Sequence, residues 1–505
     1  MTRNVYVFGI GGTGARIIRS LTMLLASGVQ LTGTHKIIPI IIDVDAKNAD
    51  TTRTLKALDA YKLIRERGYG NREDVKDGFF GVNLNTLSSV TSEISGAEKP
   101  DDSFQLQFEN LETSFIRYID PKEELAGDVT MDLLEALYDN TPPGHDNFSH
   151  TELNLRLDLG FKGNPNIGTV VFNNLATTKA FQYVLKSISE NDRIFIISSI
   201  FGGTGSSGFP QLVRLLQEEE RIRANPFGAL TVMPYFNVTD DKKSAINSDR
   251  FNAKTEAALT YYAKYLKGKI NAFYQLWDRP LKQYENKEGG AEQHNNAHLI
   301  ELIGATAIID FANKPDNALK SKDKTVYFDF GIQHEDQLID IRHFYDTTKN
   351  TILYPLTLFT YAMKIYLEKI PEFKNEAFYK ELNLNHQLTS DPFYQSLTAF
   401  FDKHYKTWLK EMMENERKFQ PFNIDLADLN SLVRGRQIEV KKVLGIVTNG
   451  GITDAFLKER LGKLEDELKK KMPENEREKR FLKLLHEIAE ECFKKLEKLP
   501  SEVFH

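Results

Sequence analysis

Several features are scarce in this chain of 505 residues, and each scarcity excludes a class of protein. One cysteine, Cys492, excludes disulfide frameworks and cysteine-based metal sites within the chain and fits a reducing, cytoplasmic compartment. The net charge of -6 shows no basic excess, so a nucleic-acid partner is not expected. The longest apolar stretch, 351–367, contains Pro355 and Lys364; it is too short for a membrane span and predicts a buried helix.

What the chain does contain is a pair of glycine-rich loops, each placed where an apolar strand gives way to a helix. The first, GIGGTG at 9–14, follows VYVF at 5–8, and the second, GGTGSSG at 202–208, follows IFII at 194–197. Glycine permits positive φ and a close approach of backbone N–H groups to an anion. The helix that follows adds unpaired N–H groups and a positive dipole end. The two loops together predict one nucleotide, with its phosphates between them.

Taken alone, the first loop could bind either the phosphates of a mononucleotide or a dinucleotide such as NAD. Gly9, Gly11 and Gly14 match the dinucleotide fingerprint G-x-G-x-x-G, and Asp43 or Asp45 after the second strand is placed to hold a ribose hydroxyl, as in NAD enzymes. A dehydrogenase has no need of a second glycine loop after a later strand, and no hydride-transfer site is visible. A flexible turn is also disfavoured for the second loop, because a strand precedes it and a helix follows.

Alternating strand and helix patterns predict an α/β fold with a doubly wound parallel sheet. Further strands are predicted at 325–330 and 440–447, and Pro473 separates two amphipathic helices near the end of the chain. These helices are expected to pack on the body of the protein, with a partner-binding hairpin as the alternative. The chain divides into a nucleotide-binding domain at 1–248 with an insertion at about 61–151, a central helix at 249–270, a second domain at 271–450 and a helical region at 451–505.

The loops resemble those of the tubulin/FtsZ superfamily of assembly GTPases. Phe201 stands where the first glycine of the superfamily loop G-G-G-T-G-[ST] is expected. The resemblance covers residues 1–60 and 155–310, and the order of the segments matches the family. The segments are DVDA at 43–46, similar to N-T-D-A of FtsZ; GNPNIG at 163–168, similar to G-N-P-E-V-G near the γ-phosphate; GGTGS at 202–206; and LTVMPYF at 230–236, similar to the strand and loop after the signature helix.

This resemblance implies a tubulin/FtsZ-like, Rossmann-type GTPase domain, a central helix, a smaller α/β second domain and a C-terminal helical hairpin. It implies GTP, with Mg²⁺ bridging the β- and γ-phosphates and keeping most of its waters. Asn252 would read the guanine edge, since an amide offers a donor and an acceptor side by side; a surface role for it stays open. The nucleotide-binding residues are then Gly11, Gly12, Thr13, Gly14, Asp43, Asp45, Gly163, Asn164, Gly202, Gly203, Thr204, Gly205, Ser206 and Asn252.

In this superfamily an acid from the neighbouring subunit completes the hydrolytic site, within a motif N-x-D-x-x-[DE]. NAHLIE at 296–301 fits the spacing, with Asn296 first, His298 in place of the first acid and Glu301 as the acid that orients the attacking water. Neutral histidine positions water less effectively than a carboxylate, so slow hydrolysis is expected. A helix N-terminal or packing role for His298 and a solvated position for Glu301 are the alternatives.

The resemblance therefore implies a GTP-binding and GTP-hydrolysing protein that assembles head to tail with itself, with an adaptor or effector protein as a possible further partner. Two alternatives stay open. A non-polymerising nucleotide switch would keep the loops without forming filaments, and an NAD(P)-binding oxidoreductase would be stabilised by NAD rather than by GTP.

Overall fold

The computed structural model describes most of the chain. The described residues are 3–45, 47–70, 72, 75, 78–91, 102–124, 129–138, 152–238, 249–279, 283–284, 290, 294–319, 325–331, 338–434, 442–443, 446–447 and 451–497.

A parallel sheet organises the first two thirds of the chain. Its strands run in the order β3-β2-β1-β5-β6-β8-β10, and β4 also pairs with β2. Apart from the short β4 and the added β10, this is the 3-2-1-4-5-6 order of a Rossmann fold, so the predicted doubly wound sheet is confirmed. The described strands are β1 Arg3–Ile10, β2 Thr34–Ile42, β3 Asn83–Leu84, β4 Gln105–Leu106, β5 Arg193–Ser199, β6 Phe227–Val232, β7 Asn237–Val238, β8 Ala272–Trp277, β9 Gln283–Tyr284, β10 Val326–Gly331, β11 Leu338–Ile339, β12 Lys418–Phe419, β13 Lys442–Val443 and β14 Ile446–Val447.

Helices cover the sheet and make up most of the downstream half. The described α-helices are α1 Gly11–Ala26, α2 Ala49–Tyr69, α3 Leu87–Thr91, α4 Phe115–Ile119, α5 Val129–Tyr138, α6 Pro165–Asn173, α7 Lys179–Ser187, α8 Gly203–Glu218, α9 Asp249–Tyr265, α10 Leu299–Asn313, α11 Asp346–Thr348, α12 Tyr354–Lys364, α13 Ala377–Glu381, α14 Leu384–Ser390, α15 Pro392–Ala399, α16 Lys406–Glu414, α17 Asp454–Lys471 and α18 Arg477–Glu497. Wider π-type turns occupy Lys349–Leu353, Ile365–Lys369 and Phe400–Tyr405.

The predicted apolar helix at 351–367 is present as α12 with a π-type turn at each end. Its side chains from Leu356 to Lys364 are buried in the protein core. In the part of the chain that the structure describes, no helix is both long enough and apolar enough to cross a membrane.

The tight turn between β1 and α1 depends on two glycines. A Cβ on Gly14 would lie 2.5 Å from the carbonyl carbon of Gly9, closer than any side chain tolerates. β1 lies between β2 and β5 in register, with Gly9 opposite Ile197 of β5. The segments that follow β1 and β5 therefore leave the sheet at the same edge.

The helix predicted at 249–270 is present as α9, and its surroundings differ from those of α10. α9 presents much of its surface to solvent, and Tyr261 and Tyr265 are 41% and 46% exposed. The buried helix beside the sheet is α10, whose Gly304 lets the side chain of Ile17 in α1 approach closely.

The strand predicted at 325–330 also differs in its partners. It forms β10, which pairs in parallel with β8, and β8 pairs with β6 of the main sheet. The strand thus extends the sheet of the first domain and does not belong to a separate one. β8 itself was missed, although AFYQLW at 272–277 is rich in aromatic and apolar residues. Of the strand predicted at 440–447, the described residues are only β13 and β14, an antiparallel pair.

The two C-terminal helices form a hairpin that packs on the body of the protein. The Phe481 ring of α18 lies 5.8 Å from Tyr366 and 5.1 Å from Tyr394, between ring centroids. Leu482 packs so closely on Gly68 of α2 that a Cβ there would lie 2.7 Å from its Cδ1. The apolar stripe of α18 is therefore covered by this chain, as the packing interpretation predicted.

Candidate functional site

The two glycine loops meet at the carboxyl edge of the sheet. Gly11 has φ of +68°, and a Cβ built on it would lie 3.4 Å from the Cβ of Thr204. The same position is 3.8 Å from the backbone N of Gly205. Loops that are nearly two hundred residues apart in sequence thus line one place in the fold, because their strands are neighbours.

A third loop completes this arrangement on the side of the second one. A Cβ on Gly203 would lie 3.0 Å from the backbone N of Gly163, which has φ of +79°. Further along, Gly168 of α6 packs so tightly on Ser207 of α8 that a side chain at 168 would overlap it. α6 and α8 therefore start side by side, and the loop predicted at 163–168 lies with the other two.

The helices that begin at these loops share an unusual feature at their N-termini. The residues before α1, α6 and α8 are Ile10, Asn164 and Gly202, and none of their side chains caps the helix. The Asn164 side-chain Nδ2 is buried and makes no hydrogen bond. Uncapped N–H groups together with an unpaired buried amide leave hydrogen-bond donors free for an anion.

A cation reaches the same place from α9. The Lys254 Nζ donates a hydrogen bond to the Gly163 carbonyl oxygen at 2.6 Å. Sequence reasoning singled out Asn252 on this helix and missed Lys254, two residues further on. The only indication in the sequence was that Lys254 stands close to Asn252. The side chain of Asn252 lies outside the described residues, although its backbone belongs to α9.

The hydroxyl and aromatic residues of the second loop make contacts within the loop itself. The Ser206 hydroxyl donates to the Gly202 carbonyl, and the Ser207 hydroxyl donates to the Gly203 carbonyl at 2.7 Å. Phe201, in place of a glycine, packs edge-on against Phe236 with ring centroids 5.6 Å apart. Phe201 thus anchors the loop in the core instead of adding flexibility to it.

The acids that follow β2 already accept hydrogen bonds from other groups of this chain. The buried Asp43 carboxylate accepts from the Asp45 N–H at 3.2 Å and from the Thr51 hydroxyl at 3.3 Å, and burial raises the pKa of Asp43 to about 7. Asp45 accepts from the Gly290 N–H at 2.6 Å. Gly12 lies beside the start of α2, where a Cβ would be 3.5 Å from the Asn48 amide. Among the described residues there is no cluster of three or more acidic, histidine or cysteine side chains suited to a metal.

Glu301 does not have the solvated position that the sequence left open as an alternative. Its side chain is buried, and its Oε1 lies 2.7 Å from the Nε of Arg16 on α1 of the same chain. Burial raises the pKa of Glu301 to about 7, with Arg16 opposing that shift. An acid enclosed in its own subunit cannot reach a neighbour in this conformation. The motif NAHLIE gave no sign of this, since α10 is apolar on nearly every side.

The other two residues of the motif have contrasting positions. His298 caps α10, and its Nδ1 accepts a hydrogen bond from the Ile300 N–H at 3.0 Å. Burial, assisted by Arg16 and Arg417, lowers the pKa of His298 to about 3, so the ring is neutral near pH 7. This is the helix N-terminal role that the sequence left open. Asn296 is exposed.

Arg16 is the centre of a buried charged network that reaches the downstream helices. It contacts Asp50 at 3.2 Å and donates to the Tyr235 hydroxyl at 2.6 Å. Arg19, one turn further along α1, pairs with Glu411 of α16 at 2.8 Å. The helix that starts at the first glycine loop is thus tied by ion pairs to α2, α10 and α16.

Comparisons with known proteins give little beyond this geometry. No family model matches the chain, and no curated protein matches it. Among solved structures, CetZ from Methanosaeta thermophila aligns with 13% identity over 61% of this chain and 52% of that one, with a TM-score of 0.30. The chain thus spans about half the length of that structure, and a likeness this weak transfers no function.

Proposed function

We propose that this protein binds GTP in the manner of the tubulin/FtsZ superfamily, with the triphosphate between the three loops at 9–14, 163–168 and 202–206. The observation that carries the proposal is their convergence, with Gly11 against Thr204 and Gly203 against Gly163. A single phosphate needs one helix N-terminus, whereas a triphosphate can use several.

The electrostatics of the loops fit a polyphosphate. The positive dipole ends of α1, α6 and α8 lie at the three loops, and Lys254 adds a full positive charge at the third loop. The buried Asn164 amide gains a partner only if an acceptor arrives, and a buried unpaired donor costs about 1–3 kcal/mol. A phosphate oxygen would remove that cost.

The base and the metal ion follow from the resemblance. We propose guanine because the segments at 43–46, 163–168 and 230–236 resemble the family, and because α9, which carries Asn252, reaches the loops through Lys254. Mg²⁺ would be held mainly by phosphate oxygens and water, since it requires only one or two carboxylates. Asp43 and Asp45 are the acids that the resemblance offers for it, and both already accept hydrogen bonds from this chain.

We extend the proposal to GTP hydrolysis coupled to head-to-tail assembly of the chain with itself. The only support for this extension is that the motifs occur in the same order as in the superfamily. The role of Glu301 as the acid supplied to a neighbour remains a prediction, and it requires the pair with Arg16 to open. A monomeric nucleotide switch is the second candidate. It is favoured by the ion pairs of Arg16 with Glu301 and of Arg19 with Glu411, which connect α1 to α10 and α16 within one chain.

Binding is tested by thermal unfolding of the purified protein with GTP, GDP or NAD, followed by calorimetric titration. GTP at one hundred times its dissociation constant should add about 2.7 kcal/mol to the free energy of unfolding, and NAD should add nothing. Stabilisation by NAD without stabilisation by GTP would overturn the proposal. Light scattering and electron microscopy with a slowly hydrolysed GTP analogue then separate a filament from a monomeric switch.

A further inference from the structure

A cavity lies beyond the carboxyl ends of β2 and β4, and none of the residues of the three glycine loops lines it. Its volume is about 850 Å³, within the range of small-molecule sites. Asp43 and Gln105 line its buried end, and the aromatic residues Phe108 and Tyr118 line its sides. Because Gln105 pairs in register with Ile41, it lies beside the end of β2.

The buried end offers one donor that this chain leaves unused. Gln105 is 8% exposed, and its side-chain Nε2 makes no hydrogen bond. A buried amide without a partner is unfavourable, so its presence in a cavity wall points to an acceptor on a ligand. The neighbouring Asp43 carboxylate has accepted one hydrogen bond at each oxygen and retains further lone pairs.

The aromatic sides of the cavity are fixed by contacts with α6 and the turn after it. The Phe108 ring lies 5.2 Å from the Phe172 ring, edge to face. The Tyr118 hydroxyl accepts a hydrogen bond from the Asn174 amide. Aromatic rings held in place beside a donor and an acceptor suit a flat heterocycle, whose faces stack while its edge forms hydrogen bonds.

The outer end of the cavity carries charges of both signs. Lys47 and Arg117 line it and are exposed, as is Glu112. Asp158, which also lines the cavity, forms an ion pair with Arg156, with 2.7 Å between Oδ2 and Nη2. The Arg117–Glu123 pair spans 3.2 Å with both side chains more than two-thirds exposed, and such a pair is weak enough to rearrange around an anion.

We propose that this cavity is a second ligand site, specific for a nucleoside monophosphate, with the base at Gln105 and Asp43 and the phosphate at Lys47 and Arg117. The site goes beyond the proposed function, because no residue of the three loops lines it; Asp43 is the one residue it shares with those that the resemblance assigns to GTP. A nucleotide bound there would contact the residues that connect β2 to α2.

Calorimetric titration with AMP, GMP and the two parent nucleosides tests the site. Gln105→Met, similar in size but without the donor, should weaken all bound ligands about tenfold, which is the effect of one hydrogen bond. Gln182→Met, on the exposed face of α7, is the matched control and should leave binding unchanged. Absence of binding by either monophosphate at about millimolar concentration, or equal binding by Gln105→Met, would overturn the proposal.

Two further variants separate this site from the loops. Arg117→Ala removes an exposed side chain, keeps the core intact, and should weaken the monophosphates about fivefold without affecting the nucleosides; equal monophosphate binding would contradict the phosphate position. In Asn164→Asp, designed to disable the triphosphate site, monophosphate binding should persist. If it is lost there and unaffected by Gln105→Met, the monophosphate occupies the loops, and this proposal fails while the proposed function stands.

Discussion

The glycine loops and the segment 296–301 were expected to meet across a subunit boundary, and the structure gives them opposite characters. Around the loops, helix N-termini are uncapped and the Asn164 amide is unpaired. In the other segment, His298 caps its helix and Glu301 lies against Arg16. Polar groups left without partners indicate a place for a ligand, whereas buried polar groups with partners indicate internal structure.

The two regions are nevertheless joined by one helix. α1 begins with the first glycine loop at Gly11 and carries Arg16 one turn further along. A ligand bound at the start of α1 therefore acts on a helix whose next turn is fixed to Asp50 and Glu301. The comparison predicts that substitutions in the network alter stability and that substitutions at the loops alter ligand affinity.

The largest expected effect is on stability. Glu301→Ala removes one of the two carboxylates beside the buried Arg16, which keeps Asp50, and leaves a cavity. It should lower the free energy of unfolding by about 3 kcal/mol in denaturant titrations. Glu256→Ala, at an exposed position of α9, is the control and should change it little. Unchanged stability with a loss of concentration-dependent GTP turnover would instead support the role of Glu301 across an interface.

The next effect is on affinity. Asn164→Asp keeps the size of the side chain but replaces a free donor by a negative charge at the start of α6. It should weaken GTP binding about 100-fold, by lost hydrogen bonding and charge repulsion, in calorimetric titrations. Asn166→Asp, exposed two residues further along α6, should bind nearly as the wild type does. Similar loss in both variants would mean a general charge effect and no contact at Asn164.

The pH dependence of the free energy of unfolding tests whether His298 is buried as a neutral ring. The pKa of His298 is about 3 in the folded protein against 6.5 for an unperturbed histidine. The unfolded chain therefore takes up the proton first, and stability is lost as the pH falls below 6.5. His298→Asn, which keeps a capping residue, should reduce this loss by about 2 kcal/mol between pH 7 and pH 4.5.

The control for this pH experiment is His294→Asn, since His294 is exposed. It should leave the pH profile as it is in the wild type. Parallel profiles for His298→Asn and the wild type would mean that His298 is not buried as a neutral ring.

The smallest expected effect is on GTP affinity, and it tests whether Lys254 acts as a specific contact or only through its charge. Lys254→Ala removes the ammonium group at the third loop and should weaken GTP binding about tenfold. Lys264→Ala changes the same net charge at an exposed position of the same helix and should have almost no effect at physiological salt. Equal effects of the two substitutions would remove Lys254 from the site.

Sequence reasoning located the loops because their requirements are local. Glycines between an apolar strand and a helix indicate a close backbone turn, so Gly11 and Gly203 could be placed without tertiary knowledge, whereas Gly163 was found through the family resemblance. The burial of Glu301 depends on Arg16, nearly three hundred residues away, and no local pattern reports that pairing. Lys254 was missed for the same reason, because its contact with Gly163 depends on how α9 packs.

Hydrogen exchange with and without a slowly hydrolysed GTP analogue tests the central claim most directly. Peptides covering 9–14, 163–168 and 202–206 should gain protection together, because one triphosphate accepts from the amides of all three. The peptide covering 296–301 should exchange as before while the protein is monomeric. Protection of a single loop, or protection confined to 296–301, would contradict the claim that the three loops form one site.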